Sequence, residues 1–321
     1  MLKFTLRKVL AIIPKFFAIT VILFFLLEIS PGDPLSRMID PMVYHEMSDE
    51  LKESYRESLG LNRSAIERYF SWLLDLMRGD FGYSLSMRKP IADLIAVRLP
   101  YSMELQFGSL VLSAIIGTVL GFLCAVFQRT AVDYATNSIT LLGISLPDYF
   151  FAILFMMVFG VILGWFPVGG RMPTDIQNPT LIQRLPYMVL PIGAMTFTAV
   201  CGYVRYTRLL MVEIMNKDYV KTARAKGLSE TAVNIKHCLR NALGPLMVSI
   251  VARLPVLVGG SIVIEQVFNY LGVGALSLQA SSTLDAPVAL FNITVGAVIT
   301  LLASTLMDIV VALLDPRVRF E

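Results

Sequence analysis

The chain has 321 residues, 56% of them hydrophobic and 16% charged, with a formal net charge of +3. This composition excludes an ordinary soluble core and places the chain in the membrane class, and so small a charge gives no argument for nucleic acid as a partner. The three cysteines, Cys124, Cys201 and Cys238, show no metal-ligand spacing, which argues against a disulfide framework and leaves the redox compartment open.

Taken in order, six apolar blocks are long enough to cross a bilayer: 9–29, 102–127, 138–164, 187–209, 245–268 and 289–313. The first follows Lys3, Arg7 and Lys8, and no small-residue cleavage site comes after it, so it reads as an uncleaved first helix with a cytoplasmic N-terminus. Residues 30–101 then form an outer segment with structure of its own. Ser64 and Glu67 are spaced as a capping box, each side chain bonding the other's backbone N–H. Ile66, Phe70, Leu73, Leu74 and Met77 fall on one helical face, and Gly79 stands where a helix stop is expected. The pattern predicts an amphipathic helix over 64–78, lying on the membrane or on the transmembrane bundle, and a weaker helix around Ser48–Ser58.

With six spans the loops alternate sides. From Arg205 to Arg240 there are eight Lys/Arg against three acids, Glu213, Asp218 and Glu230, which places 210–244 in the cytoplasm. The short loops on the other side hold only Arg171 and Arg184. The N-terminus and the Arg317/Arg319 tail agree with cytoplasmic ends. Residues 30–101 carry nine Lys/Arg, but the rule loses force in loops longer than about 60 residues.

Within 210–244 the residues Val212 to Lys226 predict one amphipathic helix, with Met215, Tyr219 and Ala223 on its narrow, small-residue face. Gly227 stops it, since glycine takes the left-handed conformation without steric cost. Ser229 then caps a second helix, with Glu230 in its first turn. Two helices joined by so short a turn make a rigid protrusion, a knob that a partner's surface can approach closely.

Here the residues carry a family likeness. Asp218-Tyr219-Val220-x-Thr222-Ala223-Arg224-Ala225-Lys226-Gly227-Leu228, followed by His237 and Arg240-Asn241-Ala242-Leu243-x-Pro245, resembles the EAA loop of binding-protein-dependent ABC importer permeases, and is most similar to the dipeptide/oligopeptide/nickel branch. Lys221 replaces the Glu of the general pattern and Thr222 its first Ala, as marks of that branch. The likeness runs along nearly the whole chain. It includes Pro31-Gly32-Asp33-Pro34, Leu59-Gly60-Leu61, Arg78-Gly79-Asp80-Phe81-Gly82-x-Ser84 and Arg98-Leu99-Pro100-x-Ser102-x-Glu104-Leu105. Further along come Ser145-Leu146-Pro147-x-Tyr149-Phe150, Gly164-Trp165-Phe166-Pro167-Val168-x-Gly170 and Arg205-x-x-Arg208. Gly259-Gly260-x-x-Val263-x-Glu265-x-x-Phe268 and Asp308 with Asp315-Pro316-Arg317 complete the series. One departure is Asn269-Tyr270-Leu271-Gly272, where an aromatic–Pro pair usually precedes the glycines.

The resemblance implies an all-α polytopic protein with six transmembrane helices and a type I importer permease fold, carrying an extracytoplasmic insertion after the first helix. Residues 1–101 would hold that helix and insertion, and 102–321 the permease core. It implies that Asp218, Tyr219, Lys221, Thr222, Ala223, Arg224, Ala225, Lys226, Gly227, Leu228 and Ser229 meet an ATPase subunit. The partners it implies are a second homologous permease in a heterodimer, two ATPase subunits and an extracytoplasmic substrate-binding protein, in the inner membrane of a prokaryote. ATP and Mg would be bound by the ATPases, since this chain lacks the Gly-x-x-x-x-Gly-Lys-Ser/Thr phosphate cradle. With only His45 and His237 and no His-Glu-x-x-His, it lacks the ligands for a catalytic zinc site, and it shows no Gly-x-Ser-x-Gly elbow.

Ionisable residues deep in a span cost roughly 2.5–3.5 kcal/mol on insertion scales, so Asp148 and Arg253 are candidates for the translocation path or a gate. Glu265, near the outer boundary, is a third. For each of them a satisfied structural contact is the preferred reading. Asp308 is expected to pair with Arg317 or a neighbouring helix. A secondary transporter or channel without ATPases is the alternative. It predicts inverted repeats and midplane carboxylates, of which Asp148 is the one fair candidate.

Overall fold

A computed structural model describes residues 2–29, 33–37, 39, 41–58, 60–84, 86–176, 179–283 and 285–314. Pro31-Gly32, Leu59 and the Asp315–Arg319 tail lie outside the described residues.

The chain opens with α1 (Leu2–Leu10) and α2 (Ile12–Ile29), stacked end to end. A 3₁₀ turn (Pro34–Arg37), α3 (Pro41–Glu46), α4 (Asp49–Ser58) and α5 (Ala65–Met77) follow. A two-stranded hairpin pairs β1 (Tyr83–Ser84) with β2 (Lys89–Pro90) and leads into α6 (Ile91–Val126). Then come α7 (Ala131–Ser145), α8 (Asp148–Phe155) with a π-helical extension over Met156–Ile162, and α9 (Leu181–Met215). The rest is α10 (Asp218–Ala225), α11 (Glu230–Ala232), a π-helical turn over Val233–Leu239, α12 (Arg240–Val251), α13 (Val256–Gly259), α14 (Ile262–Val267), α15 (Val273–Ser282) and α16 (Ala286–Leu314).

Among the described residues, four helical stretches are long and apolar enough to cross a membrane, Phe4–Leu26, Ile91–Val126, Leu181–Met215 and Ala286–Val310. A fifth is added if α7 and α8, bent by 105° at their junction, count as one. The block 138–164 is therefore not one straight helix: Pro147 lacks the N–H that would continue the ladder. The block 245–268 is likewise broken, at residues 252–255 and again at Gly260, whose φ is +69°. Helix α6 starts at Ile91, well before residue 102, so the boundary expected at 101 falls inside it.

Small residues set the central packing. α6 and α9 run parallel, with Gly108 against Ile192, Gly117 against Tyr203 and Gly121 against Thr207. A Cβ on Gly121 would sit 2.6 Å from the Val204 carbonyl oxygen, so the glycine is what lets the two backbones meet. α7 runs antiparallel to α9, Gly143 facing Cys201 and Asp133 facing Arg208. Lys8 Nζ donates to Asp308 Oδ2 at 2.7 Å and ties α1 to α16, the neighbouring-helix contact that was one of the two expected for Asp308.

The capping box forms as predicted: Glu67 N donates to Ser64 Oγ at 3.3 Å, and Ser64 N to Glu67 Oε2 at 3.1 Å. Of the predicted stripe on α5, Leu73 packs on the protein, joined by Tyr69 from outside the stripe. Tyr69 and Leu73 are buried, and Tyr69 Oη lies 3.0 Å from Thr20 Oγ1 on α2, while Ile66, Phe70, Leu74 and Met77 are exposed. The predicted helix at 48–58 is α4. Asp33 organises what precedes it, accepting from Leu35 N at 3.0 Å, from Tyr44 Oη at 2.7 Å and from Arg56.

Candidate functional site

The knob lies beyond the C-terminus of α9, and its first arm differs from the predicted single helix over 212–226. α9 ends at Met215, Asn216 closes it, and Lys217 leaves the helical conformation with ψ 149° before α10 begins. That break shifts the phase of the arm. Val220 and Ala223 turn inward, and Tyr219, placed on the inner stripe by periodicity, is 47% exposed.

Beneath the knob is a core of its own. Val220 and Ala223 pack with Val233, Cys238, Ala242 and Leu246 from the second arm, Met211 from α9 and Ala125 at the end of α6. Val220 and Val233 are 0% exposed. Two arms from one segment thus close over two long helices, so the knob's position is set by the helices that carry it. Burial pushes the Cys238 thiol up, which disfavours its reactive thiolate form and suits a packing residue.

The outer surface is polar and held by local bonds. Asp218 opens α10 beside its N-terminal N–H groups. The Lys221 ammonium, 2.9 Å from Asp218 Oδ1, holds that carboxyl below the usual aspartate range. Thr222 Oγ1 donates to Asp218 O at 2.9 Å. Arg224 crosses the turn in a two-pronged pair with Glu230, Nε to Oε1 at 2.9 Å and Nη2 to Oε2 at 3.3 Å. Gly227 has φ +77° and no atom near its absent Cβ, so glycine is needed there for its backbone and not for space. Ser229 caps as predicted, its Oγ accepting from Ala232 N at 3.3 Å. Tyr219, Thr222, Ala225, Lys226 and Leu228 remain exposed.

One level deeper is a pair that sequence reading missed. Asp133 at the start of α7 is almost fully buried and accepts from Arg208 Nε at 2.7 Å and Nη2 at 2.8 Å, from Arg129 N at 3.0 Å and from Asn137 Nδ2 at 2.7 Å. The bridge fastens α7 to the helix that carries the knob. Arg205-x-x-Arg208 was visible in the sequence, but nothing local marks a partner 75 residues away.

The three path or gate candidates are not brought together: no hydrogen bond or ion pair joins any two of them. Asp148 is exposed at the first position of α8. Arg253 is exposed in the break after α12, its guanidinium 5.2 Å from the Tyr203 ring. Glu265 is 1% exposed, at the opposite end of the bundle from the knob. There it accepts from Ser102 Oγ at 2.7 Å, Ser261 N at 3.2 Å and Ala275 N at 2.9 Å. Glycines make room for this carboxylate. A Cβ on Gly260 would lie 2.6 Å from Glu265 Oε1, and one on Gly272 would lie 2.7 Å from its Cδ. The Gly260…Glu265…Gly272-x-Gly274 part of the series is thereby explained as a closed cage that joins α6 to the loop after α14. Beside it Glu104 accepts from Arg171, Arg184 and Tyr270, each at 2.9 Å.

Residues 117–320 match the family described as the binding-protein-dependent transport system inner membrane component, and residues 1–106 match its N-terminal companion. The chain is 34% identical over 322 residues to the oligopeptide transport system permease protein AppB of Bacillus subtilis, covering 100% of both. It is 36% identical to a putative peptide permease protein of Brucella suis, covering 99% of both. It is 32% identical to the glutathione transport system permease protein GsiC of Escherichia coli K12, covering 100% of both. With both family regions matched and relatives aligned end to end, the chain belongs to the family of inner membrane components of binding-protein-dependent transport systems, as a permease subunit of an ABC importer.

Proposed function

We propose that this permease forms half of a translocation path for peptides or peptide-like solutes, and that the α10–α11 knob is the element through which a partner ATPase drives it. The carrying observation is the knob itself. It has a dedicated buried core on its inner side and an exposed rim of small and basic residues on its outer side. A ridge so anchored transmits a push to α6 and α9 instead of bending. The relatives named for oligopeptide and glutathione transport support the substrate class.

In this reading the chain crosses the membrane six times, the broken block 245–268 being the fifth crossing, and both termini and the knob are cytoplasmic. Residues 30–90, between α2 and α6, form the extracytoplasmic insertion of the 1–101 unit, and 102–321 is the permease core. A second, homologous permease completes the path, two ATPases bind ATP and Mg, and an extracytoplasmic binding protein delivers the solute. Closure of the ATPase pair on ATP moves Asp218–Ser229 and opens the path outward; hydrolysis resets it.

The test is purification of the tagged chain from its native membrane, followed by uptake of trialanine in proteoliposomes with ATP and the binding protein. Co-purification of two ATPase chains and ATP-dependent uptake are expected. An active complex without ATPases would reject the coupling role, and a complex that imports other solutes but no peptide would reject the substrate class.

A further inference from the structure

Arg253 is a charged group at bilayer depth, inside the fifth apolar block. Arg253 follows Val251, where α12 stops. The backbone there tightens into successive three-residue turns, with Arg253 N to Ile250 O at 3.0 Å, Leu254 N to Val251 O at 3.0 Å and Val256 N to Arg253 O at 3.1 Å. Pro255, with no N–H, cannot restore the helical ladder. The break leaves the arginine side chain exposed. No carboxylate lies within bonding distance of it among the described residues, and its one contact of that kind is the Tyr203 ring at 5.2 Å. Tyr203 is 4% exposed and its Cβ is packed against Gly117, so the side chain is held at its root. The neighbouring Gly202 also borders the guanidinium: a Cβ there would lie 3.9 Å from Arg253 Nη2, at ordinary contact distance.

An exposed guanidinium inside a membrane does not face acyl chains; it faces protein or water and pairs with an anion. Arg253 stands eight residues into the block that begins at Pro245, roughly 12 Å along a helix whose crossing takes about 30 Å. The planar fork matches a carboxylate by two parallel N–H bonds, and an aromatic face holds its plane. A single arginine with no second fixed donor would hold such a group briefly, as a path must.

From this we infer that Arg253, resting on Tyr203, faces the aqueous path between the two permeases and receives the carboxylate of a passing peptide. The inference rests on the peptide reading above. The anion has two possible sources, the substrate or the partner permease, and the assignment is to the substrate.

The test uses the full complex in proteoliposomes with Gly202→Cys, which sets a thiol beside the guanidinium; the native Cys124, Cys201 and Cys238 are buried. Labelling is compared for an anionic and a cationic methanethiosulfonate reagent. The anionic reagent is expected to gain roughly tenfold on the cationic one relative to the Gly202→Cys/Arg253→Gln double variant, the effect of one unit charge at this range. Trialanine is expected to protect the thiol, and trialanine amide is not. An absent anionic preference would overturn the site, since the arginine would then be paired with the partner permease or shielded from water. A preference without protection by trialanine would overturn the substrate assignment. Wild-type trialanine uptake, measured alongside, separates that failure from failure of the peptide reading.

Discussion

Val220→Ala tests the anchoring of the knob directly. Val220 is 0% exposed and sits among Met211, Ala223, Val233, Cys238 and Ala242. Removing two methyl groups loses roughly 1.6 kcal/mol of apolar burial, and the cavity left behind brings the cost to about 2–3 kcal/mol. At 1.4 kcal/mol per tenfold, local opening of α10 would rise roughly 30- to 150-fold. Amide hydrogen exchange over 218–226 in the intact complex reads this opening, and solute imported per ATP reads its consequence. Exchange should accelerate by that factor and transport per ATP should fall. Tyr219→Ala, at an exposed position, should leave exchange unchanged and weaken ATPase association instead. Unchanged exchange in Val220→Ala would refute the anchoring; faster exchange with full coupling would refute the claim that the push depends on a rigid knob.

Other outcomes follow from the same contacts. Asp133→Asn should cost about 1–3 kcal/mol, less than a fully buried pair because Arg208 is partly exposed; thermal unfolding of the complex measures it, and an Asp133→Arg/Arg208→Asp exchange should recover part of the loss. Glu265→Gln turns an amide N–H₂ toward backbone N–H donors, and Gly272→Ala drives a Cβ to 2.4 Å from Ser102 Oγ; both should lower the yield of folded protein, and normal yield with altered transport would instead favour a gating role. At Asp33 burial opposes ionisation, but bonds from Arg56, Tyr44 and Leu35 N outweigh it and hold the carboxyl below the usual aspartate range. Its contribution is therefore present at neutral pH and is lost as pH falls below that range. Proteolysis of residues 33–58 should increase on acidification in the wild type and be pH-independent in Asp33→Asn, and equal acid sensitivity in both would refute the role.

How much was readable from the chain divides by distance along it. Ser64 with Glu67, the stop at Gly227 and the cap at Ser229 were legible because their bonds join residues two or three apart, and the membrane class because burial in lipid is a property of composition. The knob's location was legible for the same reason, as a charged run between apolar blocks. Its inward face was not. Periodicity chose Tyr219 by continuing α9 through Lys217, whereas the chain breaks there and the phase of α10 is set by what it packs on, which turns Val220 toward Met211 and Cys238. On α5 the apolar stripe was read correctly as a stripe, yet Thr20 and Phe24 on α2 selected Tyr69 as the contact. The Asp133–Arg208 bridge and the cage of Ser102 around Glu265, 75 and 163 residues apart in sequence, belong wholly to the tertiary structure. Such bonds depend on which helices stand side by side, and only the packed bundle, through its glycine contacts, decides that.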